Sequence, residues 1–411
     1  LASLAKAAKR PKVGAEKQDA PPPTPQNPEK RLWAIHPAVN QERAFMIPFV
    51  DLKAEHQSVQ PELDAAIASV FEKSSFINGE HCKAFEKELA ASVGTKFAVG
   101  ASSCTSAAAL TYQALGFGPG DEIITTCHTA IATAESITFR GAEVRFVDIG
   151  KDTPLMDPAE VEKAVNPRTR AIVPVHLYGI PCDMDAILDI ARRHNLLVFE
   201  DCAQAQGAKY KGKTVGTMGK AAFYSFFPSK NLGCAGDGGA MCTDDSDLAT
   251  RVKMLSDHGR LEKFVHEVES GNYRLDGLQA AMLRVKLPRL DAWNANRRKA
   301  AKLYFELLAD VPGLKLPYNP PECECVWHVF AVQVEDRQAV AAELKKRGIG
   351  TGVHYPMSLN VQPAYKRLGL GHGSMPHAES MCAHTLSLPI FSQIIEAQVR
   401  EVCAAVREVM A

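Results

Sequence analysis

The chain contains no uninterrupted apolar stretch long enough to cross a bilayer as a helix, so a membrane-spanning role is not expected. It also has no excess of charge, since 47 lysines and arginines balance 47 aspartates and glutamates. That neutrality argues against nucleic acid or an anionic membrane surface as the main partner. The 11 cysteines are odd in number and scattered. Cys323 and Cys325 form a C-x-C with no second Cys/His pair nearby, so no metal is expected. The cysteines read instead as reduced residues of a cytoplasmic protein. The basic residues near the start are not followed by an apolar core, so a secretory signal is not expected there. No internal repeat is visible.

What remains is a chain of 411 residues, 46% of them hydrophobic, enough for a large and a small domain. Residues 1–45 carry Lys6, Lys9, Arg10, Lys12 and Lys17 and then a run of three prolines, and read as a tail of low ordering tendency. Ordered sequence is expected from near Met46. Residues 46–290 alternate short apolar runs with amphipathic helices and form the expected large domain. Ala142–Ile149, Ala171–Leu177 and Leu196–Phe199 read as strands. Met184, Ile187, Leu188 and Ala191 mark one helical face. Such alternation predicts an α/β, doubly wound, mostly parallel sheet. Residues 291–411 change in texture, with a strand expected at Val326–Val334, a helix at Ala339–Arg347 and a short extended piece at Thr351–Tyr355. This part is expected to be a smaller α+β domain.

Doubly wound sheets bind ligands beyond the carboxyl ends of their strands, and three such ends carry chemistry. Asp201 follows the apolar run ending at Phe199, with Gln204 three residues on. An acid there needs a cationic partner, although an isolated aspartate more often reads as a helix cap or a core-edge salt bridge. Lys230 follows the aromatic run Phe223–Phe227 and precedes Gly236, Gly238 and Gly239. A lysine after a strand is usually a solvated surface residue. Beside aromatics and a glycine-rich loop it can lose its charge more readily, as a Schiff-base nucleophile must. Ser102, Ser103, Cys104 and Thr105 open a helix; they can be caps, or the start of a phosphate seat. Gly116–Gly120 follows a helix rather than a strand, which disfavours a dinucleotide fingerprint.

In this chain order the three features resemble the DegT/DnrJ/EryC1/StrS family of pyridoxal-phosphate (PLP) sugar aminotransferases. The resemblance runs from Met46 to the C-terminus. Its most specific match is Ser225–Gly239, a variant of S-F-x-x-x-K-x-L-G-x-x-G-D-G-G. It implies the fold-type I PLP aminotransferase architecture, with Lys230 as the catalytic residue and cofactor attachment point. Asp201 would pair with the pyridinium nitrogen, which keeps the ring an electron sink. Gln204 would lie against the ring, and Ser225 with Cys104 and Thr105 would hold the phosphate. The segment Gly271–Ala281 resembles the family's N-x-R-x-x-x-x-Q-A-A, which implies that Asn272 reaches the phosphate in a neighbouring subunit of a homodimer with shared active sites. Arg274, His354 and Tyr355 match substrate-side positions. Two departures stand out. Cys104 replaces a usual glycine, so a Cβ crowds the turn while its N–H survives. Ala130 stands in a segment where many relatives stack an aromatic, leaving His128 as the nearest ring.

The implied reaction takes an amino group from an amino acid, L-glutamate, to a keto group of a UDP- or dTDP-linked sugar, with a 3-keto sugar preferred. Such chemistry serves amino-sugar, polysaccharide or natural-product biosynthesis. A cyclitol (scyllo-inosose-type) aminotransferase would share every cofactor residue, and an idle PLP-fold sensor or scaffold would share the fold. The sugar 3-dehydratase branch replaces the lysine with histidine, and Lys230 is present.

Overall fold

A computed structural model of the chain describes residues 47–411; the expected tail at 1–45 lies outside the described residues. A central sheet is built from β1 (Phe97–Ala101), β2 (Glu122–Thr126), β3 (Glu143–Val147), β4 (Thr169–Val173), β5 (Leu197–Asp201), β6 (Ala221–Ser225) and β7 (Gly239–Thr243). Their spatial order is β1-β7-β6-β5-β4-β2-β3. Only β7 runs against its neighbours, pairing antiparallel with both β1 and β6. The remaining pairs are parallel, as helical crossovers require. All five residues of β2 are buried, which is why these strands read as apolar runs rather than alternating ones.

The helix expected after Asp183 spans Met184–His194. Asp183 caps it by accepting from Ala186 N–H at 3.2 Å, and Asn195 ends it in a left-handed conformation. Two expected strands are shorter than their apolar runs. The run Ala171–Leu177 is strand only to Val173, because Pro174 has no N–H to continue the ladder. In the run Val326–Val334, only Phe330–Gln333 pairs, antiparallel with Thr385–Leu388. Its first part docks on the loop after β4, where Val326 N–H donates to Gly179 O at 3.0 Å. Gly179 has φ +85°, and a Cβ there would lie 2.8 Å from Val326. The extended piece Thr351–Tyr355 makes a single bridge, Gly352 to Ser387.

Helix Leu290–Leu308 begins at the expected domain boundary and leads into the C-terminal part. One hydrophobic cluster joins the two parts, running from Ile124, Ile172 and Val198 of the sheet to Phe330, Leu386 and Val402. Ile47 also crosses between them, donating its N–H to Gly348 O at 2.9 Å.

A buried ion pair fastens the same parts. Lys286 Nζ donates to Glu55 Oε1 at 3.1 Å and to Gly233 O at 2.8 Å, while Ser392 Oγ donates to Glu55 Oε2 at 2.7 Å. Both charged residues are almost fully buried. Removing one partner strands the other charge, whereas replacing both by apolar residues does not. Glu55→Ala should therefore destabilise the protein by about 3–5 kcal/mol in urea unfolding. The double variant Glu55→Leu/Lys286→Met should recover most of that loss.

Candidate active site

The last two residues of β5 go separate ways. Glu200 accepts from the N–H groups of Gly216, Met218 and Gly219 at 2.7 Å each, and lies 3.2 Å from His176 Nε2. The other ring nitrogen of His176 accepts from Cys182 N–H at 3.0 Å, so Nε2 carries the proton given to Glu200. His176, Glu200 and Cys202 are close enough to hold a metal ion. Both imidazole nitrogens and both carboxylate oxygens are already engaged, however, and the cluster serves as a structural node.

Asp201 points instead into a cavity of about 320 Å³ beyond the strand ends. Its Oδ1 accepts from Ala203 N–H at 3.0 Å and its Oδ2 from Thr133 Oγ1 at 2.8 Å. Gln204, one turn on, is fixed at both ends of its amide: Oε1 accepts from Tyr178 N–H at 2.7 Å, and Nε2 donates to Tyr355 Oη at 3.0 Å.

Lys230 reaches the cavity from the loop after β6. Burial pushes its ammonium below the ordinary lysine value, while the negative charge of Asp201 acts in the opposite direction. The loop is pinned by its neighbours. Asn231 donates to Asn294 Oδ1 at 2.8 Å and to Val326 O at 3.0 Å, and accepts from His328 Nδ1 at 3.1 Å. A Cβ at Gly233 would lie 2.3 Å from Pro228 O, so the loop can fold back on itself only with glycine there.

The third wall is the start of helix Cys104–Ala114. A capping box joins Ser103 and Ser106, each hydroxyl accepting from the other's N–H at 3.1 and 3.0 Å. The N–H groups of Cys104 and Thr105, in the first turn, have no intrahelical carbonyl to meet and are available to an anion. A Cβ at Gly239 would lie 2.2 Å from Cys104 N, so glycine lets β7 approach this turn. Ser225 stands beside it at the end of β6.

The cavity thus brings together Cys104, Thr105, Asp201, Gln204, Ser225 and Lys230. A ring with an anionic arm fits this set: donors at one end, a carboxylate at the other, and a desolvated amine between. Other expected residues stand elsewhere. His128 does not line the cavity as a ring-stacking residue would. Its ring is buried behind Tyr178, with Nε2 2.8 Å from Tyr178 Oη and Nδ1 3.3 Å from Cys382 Sγ. The position facing the cavity belongs to Ala130. Tyr178 Oη donates to the carbonyl of His354, so it accepts from His128 Nε2, which fixes that tautomer. Asn272 is exposed and bridges Asp257. Arg274 is held by Asp257 at 2.6 Å, outside the cavity. Tyr355 touches the site through Gln204, and His354 stacks on Phe49 with ring centroids 5.4 Å apart while Nδ1 meets Ser387 Oγ at 2.9 Å.

Sequence reasoning missed Thr133, Tyr112 and Tyr178. Thr129 stands just before helix Ile131–Thr138 and Thr133 in its first turn, and their hydroxyls lie 3.0 Å apart. Nothing in the pattern marked the two tyrosines.

Comparisons with known proteins agree with this geometry. Residues 57–407 match the model of the DegT/DnrJ/EryC1/StrS aminotransferase family. The chain is 45% identical over 362 residues to a dTDP-3-amino-3,4,6-trideoxy-alpha-D-glucose transaminase of Streptomyces venezuelae, covering 88% of this chain and 96% of that one. It is 40% identical to a UDP-N-acetyl-3-dehydro-alpha-D-glucosamine 3-aminotransferase of Acidithiobacillus ferrooxidans, covering 89% and 98%. The crystal structure of S. venezuelae DesV in complex with a ketimine intermediate superposes with a TM-score of 0.87 at 45% identity, over 88% of this chain and 98% of that one.

Burial pushes His128 from 6.5 down to about 4. The unfolded chain takes up this proton near pH 6.5, whereas the folded protein resists until about pH 4, so stability is full above 6.5 and falls as the pH drops through that window. His128→Gln should remove about 3 kcal/mol of this acid sensitivity, read from urea unfolding at pH 7 and pH 4. Equal pH dependence in the two proteins would place His128 in solvent.

Proposed function

This chain belongs to the DegT/DnrJ/EryC1/StrS aminotransferase family, and on that premise we propose that it transfers an amino group from an amino acid, L-glutamate, to the keto group of a UDP- or dTDP-linked 3-keto sugar. The carrying observation is the desolvated Lys230 facing Asp201 across a cavity that opens on a helix N-terminus.

PLP, the cofactor of this chemistry, withdraws electrons from the amine-bearing carbon when bound, which makes that carbon's proton removable. The chain's residues do the rest. Lys230 Nζ, released as a neutral amine, takes that proton from the donor and returns it on the other side of the nitrogen. Its burial favours the neutral form that the step needs. Asp201 keeps the ring nitrogen cationic, and Gln204, locked between Tyr178 and Tyr355, holds the ring edge. The N–H groups of Cys104 and Thr105, with Ser225, hold the phosphate. His354 and Tyr355 lie toward the sugar. His354, pushed down to about 4 by burial and by Lys230, stays neutral there.

We assign the working form as a homodimer with shared sites, Asn272 of each copy completing the other's phosphate seat. Exposed apolar residues at the cavity mouth support this: Phe227 is 53% exposed, and Phe139, next to a hollow it shares with Thr105 and Tyr273, is 61% exposed. Eleven free cysteines suit a cytoplasmic location. Among the described residues no helix is long and apolar enough to cross a membrane.

Lys230→Ala should lower turnover of a 3-ketosugar with glutamate by about 10⁴-fold or more; near-normal turnover would refute the mechanism. A panel of UDP- and dTDP-ketosugars and scyllo-inosose, tested with the pyridoxamine form, separates the substrates, and turnover of inosose alone would favour the cyclitol reading. Shared sites are tested by mixing chains. Lys230→Ala and Asn272→Asp proteins, each inactive alone, should regain activity when co-refolded, because one of the two hybrid sites is then intact. Unshared sites would give no recovery.

A further inference from the structure

Helix Ile131–Thr138 starts at Ala130 without a side-chain cap. Threonines inside helices commonly turn their hydroxyl back to the carbonyl four residues earlier, as Thr111 does to Ala107 O at 2.8 Å. Thr133 does not. Its Oγ1 lies 2.8 Å from Asp201 Oδ2 and 3.0 Å from Thr129 Oγ1. An ionised carboxylate only accepts, so the single hydroxyl proton of Thr133 goes to Asp201, and Thr129 must be the donor to Thr133. The result is a directed chain, Thr129 to Thr133 to Asp201. All three residues are buried, at 3%, 5% and 7% exposure, and all three line the cavity.

We propose that Thr133 is a positioning residue for the amino transfer, acting through Asp201 by limiting how strongly that carboxylate draws the proton of the cofactor's ring nitrogen. The inference rests on the reading that Asp201 pairs with that nitrogen. Ala203 N–H and Thr133 Oγ1 hold one oxygen each, so the carboxylate cannot rotate. Hydrogen bonds to the charged form disperse its negative charge, and the second donor, Thr129, polarises the first further. A carboxylate so held leaves the proton on the ring, where the positive charge serves electron withdrawal. Without the hydroxyl, Asp201 is more basic and pulls the proton toward itself, the ring is less cationic, and the Lys230–cofactor linkage gives up its own proton less readily.

The test titrates the visible absorbance of the PLP-loaded protein with pH. Thr133→Val, which keeps the shape and removes the hydroxyl, should raise the midpoint by roughly half a unit or more. Thr133→Ser should stay within roughly 0.2 units of the parent. Thr129→Val, one step further out, should shift it the same way by less. Melting of the apo proteins controls for packing, since a purely structural role would lower the melting temperature without moving the midpoint. Asp201→Asn separates the inference from the reading beneath it. If that change moves the midpoint and Thr133→Val adds nothing on top of it, the proposal stands. If Asp201→Asn moves the midpoint but Thr133→Val alone does not, Thr133 has no such role. An unmoved midpoint in Asp201→Asn overturns the pairing and the proposal together.

Discussion

A half-buried amine and a buried carboxylate share one cavity, and each sets the charge of the other. Burial shifts Lys230 toward its neutral form, and Asp201 opposes that shift. The balance depends on placement, because electrostatic interaction inside protein varies steeply with distance and local polarity. Three separate strand ends supply the parts, and a parallel sheet brings such ends to one edge. The one antiparallel strand, β7, also has a role at that edge. Its first residue, Gly239, lies against the turn where the phosphate-side helix begins.

Much of the precision lies behind the cavity. The Lys230 loop is held through Asn231 by Asn294, Val326 and His328, and through the carbonyl of Gly233 by Lys286. Lys286 is itself paired with Glu55, so a helix near the start of the described chain takes part in positioning the catalytic loop. Buried ion pairs contribute little net stability. Here the pair joins segments 231 residues apart, which gives the charge a positional use. Gln204 and Tyr178 make similar ties to Tyr355 and His354, so the wall after β5 and the His354–Tyr355 segment cannot shift independently.

The doubly wound, mostly parallel sheet, the helix after Asp183 and the placing of Asp201 and Lys230 just past strands were legible because each follows from local pattern: apolar runs, helical periodicity, and chemistry beyond a strand end; Gln204 and Ser225 came only with the family resemblance. The site's outer parts were not. His128 read as a ring near the cofactor because sequence spacing cannot tell which way a side chain leaves a loop, and its ring goes into the core toward Cys382. The run Val326–Val334 looked uniformly strand-like, but Val326 and Trp327 meet the Gly179 loop, a long-range contact with no local signature. Arg274 looked like a substrate ligand, but is held by Asp257 from an adjacent loop. In each case a tertiary partner decided the outcome.

The two residues read in the sequence as departures from the family pattern, Cys104 and Ala130, both line the cavity. A Cβ at Cys104 adds bulk to the turn, while Gly239, the first residue of the facing strand, lets β7 approach the backbone of Ser103 and Cys104. The thiol is kept neutral by burial and by the nearby charge of Asp201, and so adds bulk without adding charge. At Ala130 the change runs the other way, since a methyl faces the cavity where an aromatic could stand. That leaves room in the wall next to Thr129 and Thr133, the segment whose hydroxyls turn toward Asp201. Contact with a ring face and hydrogen bonding to a ring's partner are alternative uses of one short helix start. In this chain the side chains are spent on the second, so the carboxylate, rather than a stacked aromatic, is the better-supported part of the cofactor site.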